Sequence, residues 1–173
     1  KAMEGAMRFA TTETIGHIGA LILLTALSLS IGGVVERSGL MESFPQQFAN
    51  MWVAMALFVA ILVFVGMIMD PFGAVILVSA TIAPIAYNNG IDPVHFWMVV
   101  LISFELGYLS PPVALNQLLL RQVVGEDETD KAAEEVKGMG FYRRYERWIL
   151  PVAVMASGLI IVAFGPLIAR AWS

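Results

Sequence analysis

Two acidic residues of this 173-residue chain lie inside long apolar segments, where an ionised side chain is costly. Asp70 ends one apolar run and is followed directly by Pro71, and Glu105 lies in the middle of another run. A carboxylate at the centre of a membrane helix costs about 3 kcal/mol on insertion scales. We therefore expect each carboxylate to face a cavity, an ion or a polar partner.

The apolar segment 95–120 contains residues that interrupt a helix near its middle. Pro111 and Pro112 remove two successive amide donors, and Pro111 disfavours helical angles at Ser110. Gly107 adds backbone freedom on the other side. Lipid offers no hydrogen-bond partners, so such breaks occur where protein or a wet cavity surrounds them. The pattern predicts a discontinuous helix that opens near mid-membrane; the alternative is a proline kink with restored hydrogen bonds.

Half-helix ends of this kind bind small ions and the charged groups of solutes in secondary transporters. A second interruption is predicted at 66–71, where a glycine, a carboxylate and a proline end an apolar run. The candidate substrate- and ion-binding residues lie at the two breaks and are Gly66, Asp70, Pro71, Gly107, Ser110, Pro111, Pro112 and Asn116. Oxygen donors suit Na+, and those expected to hold it are the carbonyls of Gly66, Asp70, Gly107 and Ser110, with the side chains of Ser110 and Asn116.

Each carboxylate also has a structural interpretation. Asp70 precedes Pro71, a sequence typical of a helix N-cap, and one carboxylate oxygen can cap while the other binds an ion. Glu105 can form a salt bridge to a basic residue outside this chain, or it can take part in proton coupling. The sequence leaves these alternatives open.

The composition places the chain in a membrane. Hydrophobic residues make up 58% of it and charged residues only 14%, whereas a soluble domain has roughly a quarter charged residues. The chain has no cysteine, so it forms no disulfide and no thiolate metal site. Phosphate-loop, dinucleotide and metalloprotease motifs are absent from the sequence. We expect an all-α integral membrane protein that is the carboxy-terminal piece of something longer.

Hydropathy and breakers divide the chain into four parts: an amphipathic start with a first spanning helix (1–47), two apolar arms followed by the broken helix (48–120), a hydrophilic loop (121–147) and a last spanning helix (148–173). The arms in 48–88 are either two full spans or a re-entrant hairpin with its tip at 66–71. Both arrangements return the chain to the same side of the membrane, so the sequence does not distinguish between them.

Positive charges predict the orientation. Six basic residues lie in 121–147, and on the opposite side only Arg37 and Arg170 are expected. The positive-inside rule therefore places 121–147 in the cytoplasm and the carboxy terminus outside. The basic and aromatic stretch 142–148 is predicted to anchor the chain in the lipid interface rather than to bind nucleic acid.

Two other classes of function compete with transport. An intramembrane enzyme would use Asp70 and Glu105 as paired carboxylates, although no glycine directly precedes Asp70. A purely structural subunit of a membrane complex would explain the apolar composition, but it would not explain two helix breaks. We therefore expect a carrier and no enzymatic activity.

Four stretches taken in order, 66–71, 84–86, 90–96 and 107–116, resemble the large membrane subunit of TRAP transporters, the tripartite carriers that depend on a periplasmic binding protein. The likeness is to the carboxy-terminal half of the DctM-like subunit and covers about 11–169. It implies an elevator-type, sodium-driven importer of organic acid anions in the bacterial inner membrane, built from two inverted repeats. The carboxy terminus would then be periplasmic.

By the same resemblance this chain holds the second inverted repeat. It implies that 1–47 contains a scaffold helix, that 48–120 forms the hairpin and the broken helix of the transport domain, and that the breaks at 66–71 and 107–112 face each other around one sodium site. The implied partners are the missing amino-terminal repeat, a small membrane subunit, a periplasmic substrate-binding protein and membrane lipid. Without the first repeat this piece cannot transport alone.

The sequence departs from the family pattern at two places. The family commonly has Thr-Pro-Pro-Val-Gly where this chain has Ser110 to Ala114. Serine keeps the hydroxyl, whereas alanine reduces the backbone freedom at the last position. The hydrophilic segment 126–140 also looks longer than usual, and we assign it no transport role.

Overall fold

The computed structural model describes residues 2–39, 45–111 and 114–172, and helices form most of these ranges. The helices are α1 (Ala2–Arg37), α2 (Met51–Ile68), α3 (Pro71–Ala80), α4 (Ile82–Asn88), α5 (Pro93–Leu109), α6 (Leu115–Val124), α7 (Glu126–Glu135) and α8 (Phe141–Trp172). By length and apolar composition α1, α2 and α8 can each cross a membrane, and the pair α3–α4 can form a fourth, bent span.

Two helices extend further than the sequence suggested. One continuous helix, α1, covers both the amphipathic start and the first span. The last helix begins at Phe141, so residues 141–147 belong to α8 and not to a loop as we expected. Propagating a helix adds a hydrogen bond for each residue fixed, and no proline interrupts 141–150. The basic and aromatic residues of this stretch therefore lie on the first turns of a helix.

The arms at 48–88 form a hairpin that is closed at its base. The side chain of Asn89 accepts a hydrogen bond from the amide of Phe48 (2.8 Å) and donates one to the carbonyl of Gln46 (3.0 Å). The second arm bends by 43° between α3 and α4. The bend lies at Thr81, three residues before Pro84, because a proline ring clashes with the carbonyl four residues earlier. Both a broken span and a re-entrant arm fit this bend.

The core of the described part lies between α2 and α5. Phe58 on α2 packs edge-on against Phe96 on α5, and both rings are fully buried. The helix α8 closes over this layer: Trp52 stacks on Phe164 at 6.0 Å. The ring Nε2 of His95 in α5 lies 2.8 Å from the carbonyl oxygen of Val162 in α8.

Two glycines let the backbones of α2 and α5 touch. A Cβ atom added at Gly107 would lie 2.6 Å from the carbonyl carbon of Gly66, and one added at Gly66 would lie 2.8 Å from the Cα of Phe104. Small residues permit such close approach in lipid, where helix association depends on van der Waals packing. We call this contact the glycine crossing. It lies within the last turn of each helix.

The glycine crossing predicts a large effect from one methyl group. Replacing Gly107 by alanine forces the backbones apart, and overpacking of this kind typically costs about 1–3 kcal/mol. The matched control is Gly158→Ala in α8, where an added Cβ meets no atom within 4 Å. The measurement is the thermal unfolding temperature of the complete purified transporter. Equal unfolding temperatures for the two variants would contradict a tight crossing.

Candidate functional site

The glycine crossing brings two helix ends to one cavity. Helix α2 ends at Ile68 and α5 ends at Leu109, each within a turn of its glycine. A cavity of about 410 Å³ lies here, and its lining includes residues 66–72 around the first break, Tyr108 at the end of α5, the start of α6 and part of α1. We call it the central cavity. The tertiary structure thus places the two breaks side by side.

At the first break the chain is extended for two residues. Met69 has φ −106° and ψ 154°, and Asp70 has φ −69° and ψ 159°. Pro71 has no amide, so the carbonyl of Met67 has no helical donor. The amide of Asp70 points to the hydroxyl of Ser28 on α1, at 3.5 Å. Helix α1 therefore contributes a wall to the site.

The two carboxylate oxygens of Asp70 have different environments. Its Oδ2 accepts hydrogen bonds from the amides of Phe72 (3.0 Å) and Gly73 (3.3 Å) and so caps α3. Its Oδ1 is buried and has no hydrogen-bond partner within the described residues. The capping interpretation is therefore correct, and it leaves one carboxylate oxygen over. A buried acceptor without a partner is costly, which is typical of a site that takes an ion.

The second break begins after Leu109. Ser110 is extended, with φ −95° and ψ 145°, and Ala114 adopts the left-handed conformation, with φ 47° and ψ 57°, before α6 begins. The hydroxyl of Ser110 donates to the carbonyl of Leu106 (2.7 Å). Its amide donates to Gly107 (3.0 Å), which replaces the amide that Pro111 lacks. Pro112 lies outside the described residues.

The structure corrects the expected place of Gly66 and Gly107. Both residues are helical and lie before the breaks rather than in them. A proline acts on the residue before it and on the carbonyl four residues earlier, so each helix keeps its geometry until just before the proline. Four carbonyls lose their usual helical donor. Those of Met67, Gly107 and Tyr108 lose it because positions 71, 111 and 112 are prolines, and that of Gly66 loses it because the amide of Asp70 points to Ser28. The two glycines form the glycine crossing, and the part of their carbonyls in ion binding stays a prediction.

Glu105 and Asn116 meet across the second break. The side-chain amide of Asn116 donates a 2.6 Å hydrogen bond to Oε1 of Glu105. Glu105 thus has a partner inside this chain, whereas we had considered a basic residue outside it. The side-chain nitrogen of Asn116 donates this hydrogen bond, so its side-chain oxygen is the atom that can coordinate an ion. The bond ties the half-helices α5 and α6 together.

The proposed carboxylate pair for an enzyme is not supported by these contacts. Asp70 caps α3, and Glu105 holds Asn116. In the described part of the chain neither carboxylate has the other as its hydrogen-bond partner. A shared proton, which defines an aspartyl dyad, requires such contact.

Sequence reasoning missed three residues of the site: Ser28, Tyr108 and Ala114. Ser28 is 42 residues from Asp70, and no local pattern links them. Tyr108 lies inside the recognised motif, but only its buried environment reveals that its hydroxyl has no partner among the described residues. The left-handed angles at Ala114 explain why the family pattern has glycine there.

A larger cleft of about 640 Å³ lies between α6, α7 and α8. Its ion pair between Arg121 and Asp130 (3.2 Å) is solvent-exposed, with about half or more of each side chain accessible. Exposed pairs of this kind contribute at most about 1 kcal/mol. The cleft lacks the unpaired buried groups of the central cavity, as far as the described residues show. The central cavity is therefore the candidate site.

Comparison with known proteins gives one family. The sequence model of the family described as "Tripartite ATP-independent periplasmic transporter, DctM component" matches residues 3–168. No solved structure gives a significant match.

Several curated proteins are similar to part of the chain. The C4-dicarboxylate TRAP transporter large permease protein DctM of Pseudomonas aeruginosa is 28% identical over 92 residues, which are 49% of this chain and 22% of that protein. The 2,3-diketo-L-gulonate TRAP transporter large permease protein YiaN of Escherichia coli is 33% identical over 104 residues, or 60% and 23%. The sialic acid TRAP transporter large permease protein SiaM of Vibrio cholerae is 25% identical over 115 residues, or 64% and 27%. The chain spans about a quarter of each of these relatives.

The Glu105–Asn116 bond predicts a reciprocal rescue. Asn116→Asp alone sets two carboxylates against each other and should lower the unfolding temperature. Adding Glu105→Gln supplies an amide donor in the opposite direction, so the double variant should recover most of the loss. A hydrogen bond to a charged group contributes about 1.5–3 kcal/mol, which sets the expected coupling energy in a double-mutant cycle. Strictly additive effects would show that the bond does not form.

The left-handed backbone at Ala114 predicts that an alanine-to-glycine substitution there affects stability in the opposite direction from the same substitution inside a helix. A left-handed alanine costs roughly 1–2 kcal/mol, so Ala114→Gly should leave stability unchanged or raise it by up to about 1 kcal/mol. The control Ala153→Gly in the interior of α8 should lower stability by about 1 kcal/mol. Thermal unfolding of the complete transporter measures both. Equal destabilisation by the two changes would argue against a left-handed residue at 114.

Proposed function

Because the chain belongs to the DctM component family of tripartite ATP-independent periplasmic transporters, we propose that it forms part of a sodium-coupled secondary transporter that imports organic acid anions. The single observation that carries this proposal is the meeting of two helix breaks at the central cavity, with the unpaired Oδ1 of Asp70 beside them. A purely structural subunit has no use for two unwound segments at this depth.

The central cavity offers groups for a cation. The carboxy-terminal ends of α2 and α5 both reach it, and such ends carry partial negative charge. The carbonyls of Met67 and Tyr108 lack helical donors, and Oδ1 of Asp70 adds a full negative charge. Hard oxygen donors of this kind coordinate Na+ in broken transporter helices.

The central cavity also offers groups for an anion. Helix α6 begins there after Ala114, and among the described residues no side chain caps its first amides. An uncapped helix start attracts negative charge. By contrast, Asp70 already caps α3. Groups for both signs of charge at one cavity support cotransport of a cation with an organic anion.

The remaining parts of the proposal follow from the family. The relatives are named for C4-dicarboxylate, sialic acid and 2,3-diketo-L-gulonate, all of which are organic acids or their derivatives. We infer that a periplasmic binding protein delivers the anion, that a small membrane subunit and an amino-terminal repeat complete the carrier, and that the carrier works by an elevator movement in the bacterial inner membrane. Segment 121–140 and the start of α8 would face the cytoplasm and the carboxy terminus the periplasm, following the basic residues.

Asp70→Asn tests the sodium site and has a matched control in the same chain. Asparagine also caps helices well, so the variant removes the charge and keeps the cap of α3. The control is Asp92→Asn, since Asp92 also precedes a proline and caps α5, with its Oδ1 accepting from the amides of Val94 (2.9 Å) and His95 (3.1 Å). In proteoliposomes with the binding protein, sodium-driven uptake of a radiolabelled anion should fall at least about tenfold in Asp70→Asn, as loss of a charged ligand implies, and persist in Asp92→Asn.

Two results would count against the proposal at different levels. If uptake by the unmodified carrier does not depend on a sodium gradient for succinate, N-acetylneuraminate or 2,3-diketo-L-gulonate, sodium coupling is wrong. If uptake is sodium-dependent but the two aspartate variants behave alike, Asp70 acts only as a cap.

A further inference from the structure

Tyr108 has an unexplained hydroxyl group. Its side chain lines the central cavity, the residue is only 8% exposed, and its ring packs against Phe104. The hydroxyl oxygen is buried and has no hydrogen-bond partner in the described part of the chain. Tyrosine hydroxyls normally find a partner when buried, and an unpaired one is destabilising. Phenylalanine would fill the same space without this cost.

The surroundings of the hydroxyl indicate which kind of partner is missing. The oxygen of a tyrosine hydroxyl can coordinate a cation, but its O–H proton still requires an acceptor, which a cation does not provide. The uncapped start of α6, at Ala114 and Leu115, lines the same cavity and supplies amide donors. The hydroxyl donor of Tyr108 and the first amides of α6, which no side chain caps among the described residues, together fit a carboxylate group, which offers two acceptor oxygens.

The charges around Tyr108 set a condition on that carboxylate. Asp70 lines the same cavity as Tyr108, and Glu105 lies three residues before Tyr108 on α5. A bare anion entering beside two carboxylates would be repelled. A cation held at Oδ1 of Asp70 offsets this repulsion, so the anion should bind well only when the cation is present.

We propose that the hydroxyl of Tyr108 donates a hydrogen bond to a carboxylate of the transported anion, which also accepts from the first amides of α6, and that this contact forms when Na+ occupies the site at Asp70. This inference rests on the proposed function and adds a specific anion-binding residue to it. Tyr108 lines the central cavity, and side chains at binding sites commonly change rotamer on binding, so its buried hydroxyl can turn toward a ligand there.

Tyr108→Phe tests the inference directly, because the hydroxyl makes no hydrogen bond to the described residues that the substitution would break. Without ligand, the purified complete carrier should unfold at the same temperature as the unmodified carrier or slightly higher. The second readout is stabilisation by the anion that the unmodified carrier transports, chosen from succinate, N-acetylneuraminate and 2,3-diketo-L-gulonate, at saturating Na+. The anion concentration for half of the effect should rise about tenfold or more in Tyr108→Phe. The matched control is Tyr145→Phe, an exposed tyrosine on α8.

A titration with Na+ at saturating anion separates the possible roles. The proposal expects the half-saturating Na+ concentration to change much less than that of the anion. A rise for Na+ without a rise for the anion would assign the hydroxyl to the cation and overturn the proposal, and so would unchanged values for both. A fall in unfolding temperature without ligand would reveal a structural hydrogen bond instead. If the unmodified carrier shows no sodium-dependent uptake, the proposed function fails first, and Tyr108 is not then at issue.

Discussion

Contact between two backbones holds the functional part of this protein together. At Gly66 and Gly107, α2 and α5 approach so closely that a Cβ atom on either would meet main-chain atoms of the other helix. In lipid no hydrophobic effect drives helices together, and such van der Waals contact is the main source of attraction. Because the crossing lies within the last turn of each helix, it also fixes where the two unwound segments lie. The central cavity depends on it.

The prolines determine which groups face that cavity. Each proline removes an amide that a carbonyl four residues earlier would have used, so α2 and α5 both end with oxygens lacking helical donors. The chain then restarts as α3 and α6, whose first amides are donors. Asp70 satisfies those of α3, and nothing in the described part of the chain caps α6 with a side chain. The local rules of helix ends thus generate one region for a cation and another for an anion.

Side-chain hydrogen bonds keep this arrangement from opening further. Asn116 holds Glu105 across the second break, Ser110 satisfies carbonyls of the last turn of α5, and Asp70 caps α3. The atoms left without partners in the described part of the chain are few, and two of them, Oδ1 of Asp70 and the hydroxyl of Tyr108, belong to residues that line the same cavity. The polar groups named above have hydrogen-bond partners, whereas these two atoms have none among the described residues. Burying such atoms without a function is costly, so they indicate a binding site.

The sequence by itself determined the helical membrane character, the two breaks at 66–71 and 107–112 and the cap at Asp70, because these follow from composition and from the chemistry of single residues and their neighbours. Gly66 and Gly107 lie in the last turns of α2 and α5, just before the breaks, since a helix continues until a proline removes a donor, and α8 begins earlier than the sequence indicated. Only the tertiary structure decided that Glu105 pairs with Asn116, that Ser28 approaches Asp70 and that the hydroxyl of Tyr108 is unpaired. Those facts depend on how helices pack, and packing joins residues whose separation along the chain carries no local signal.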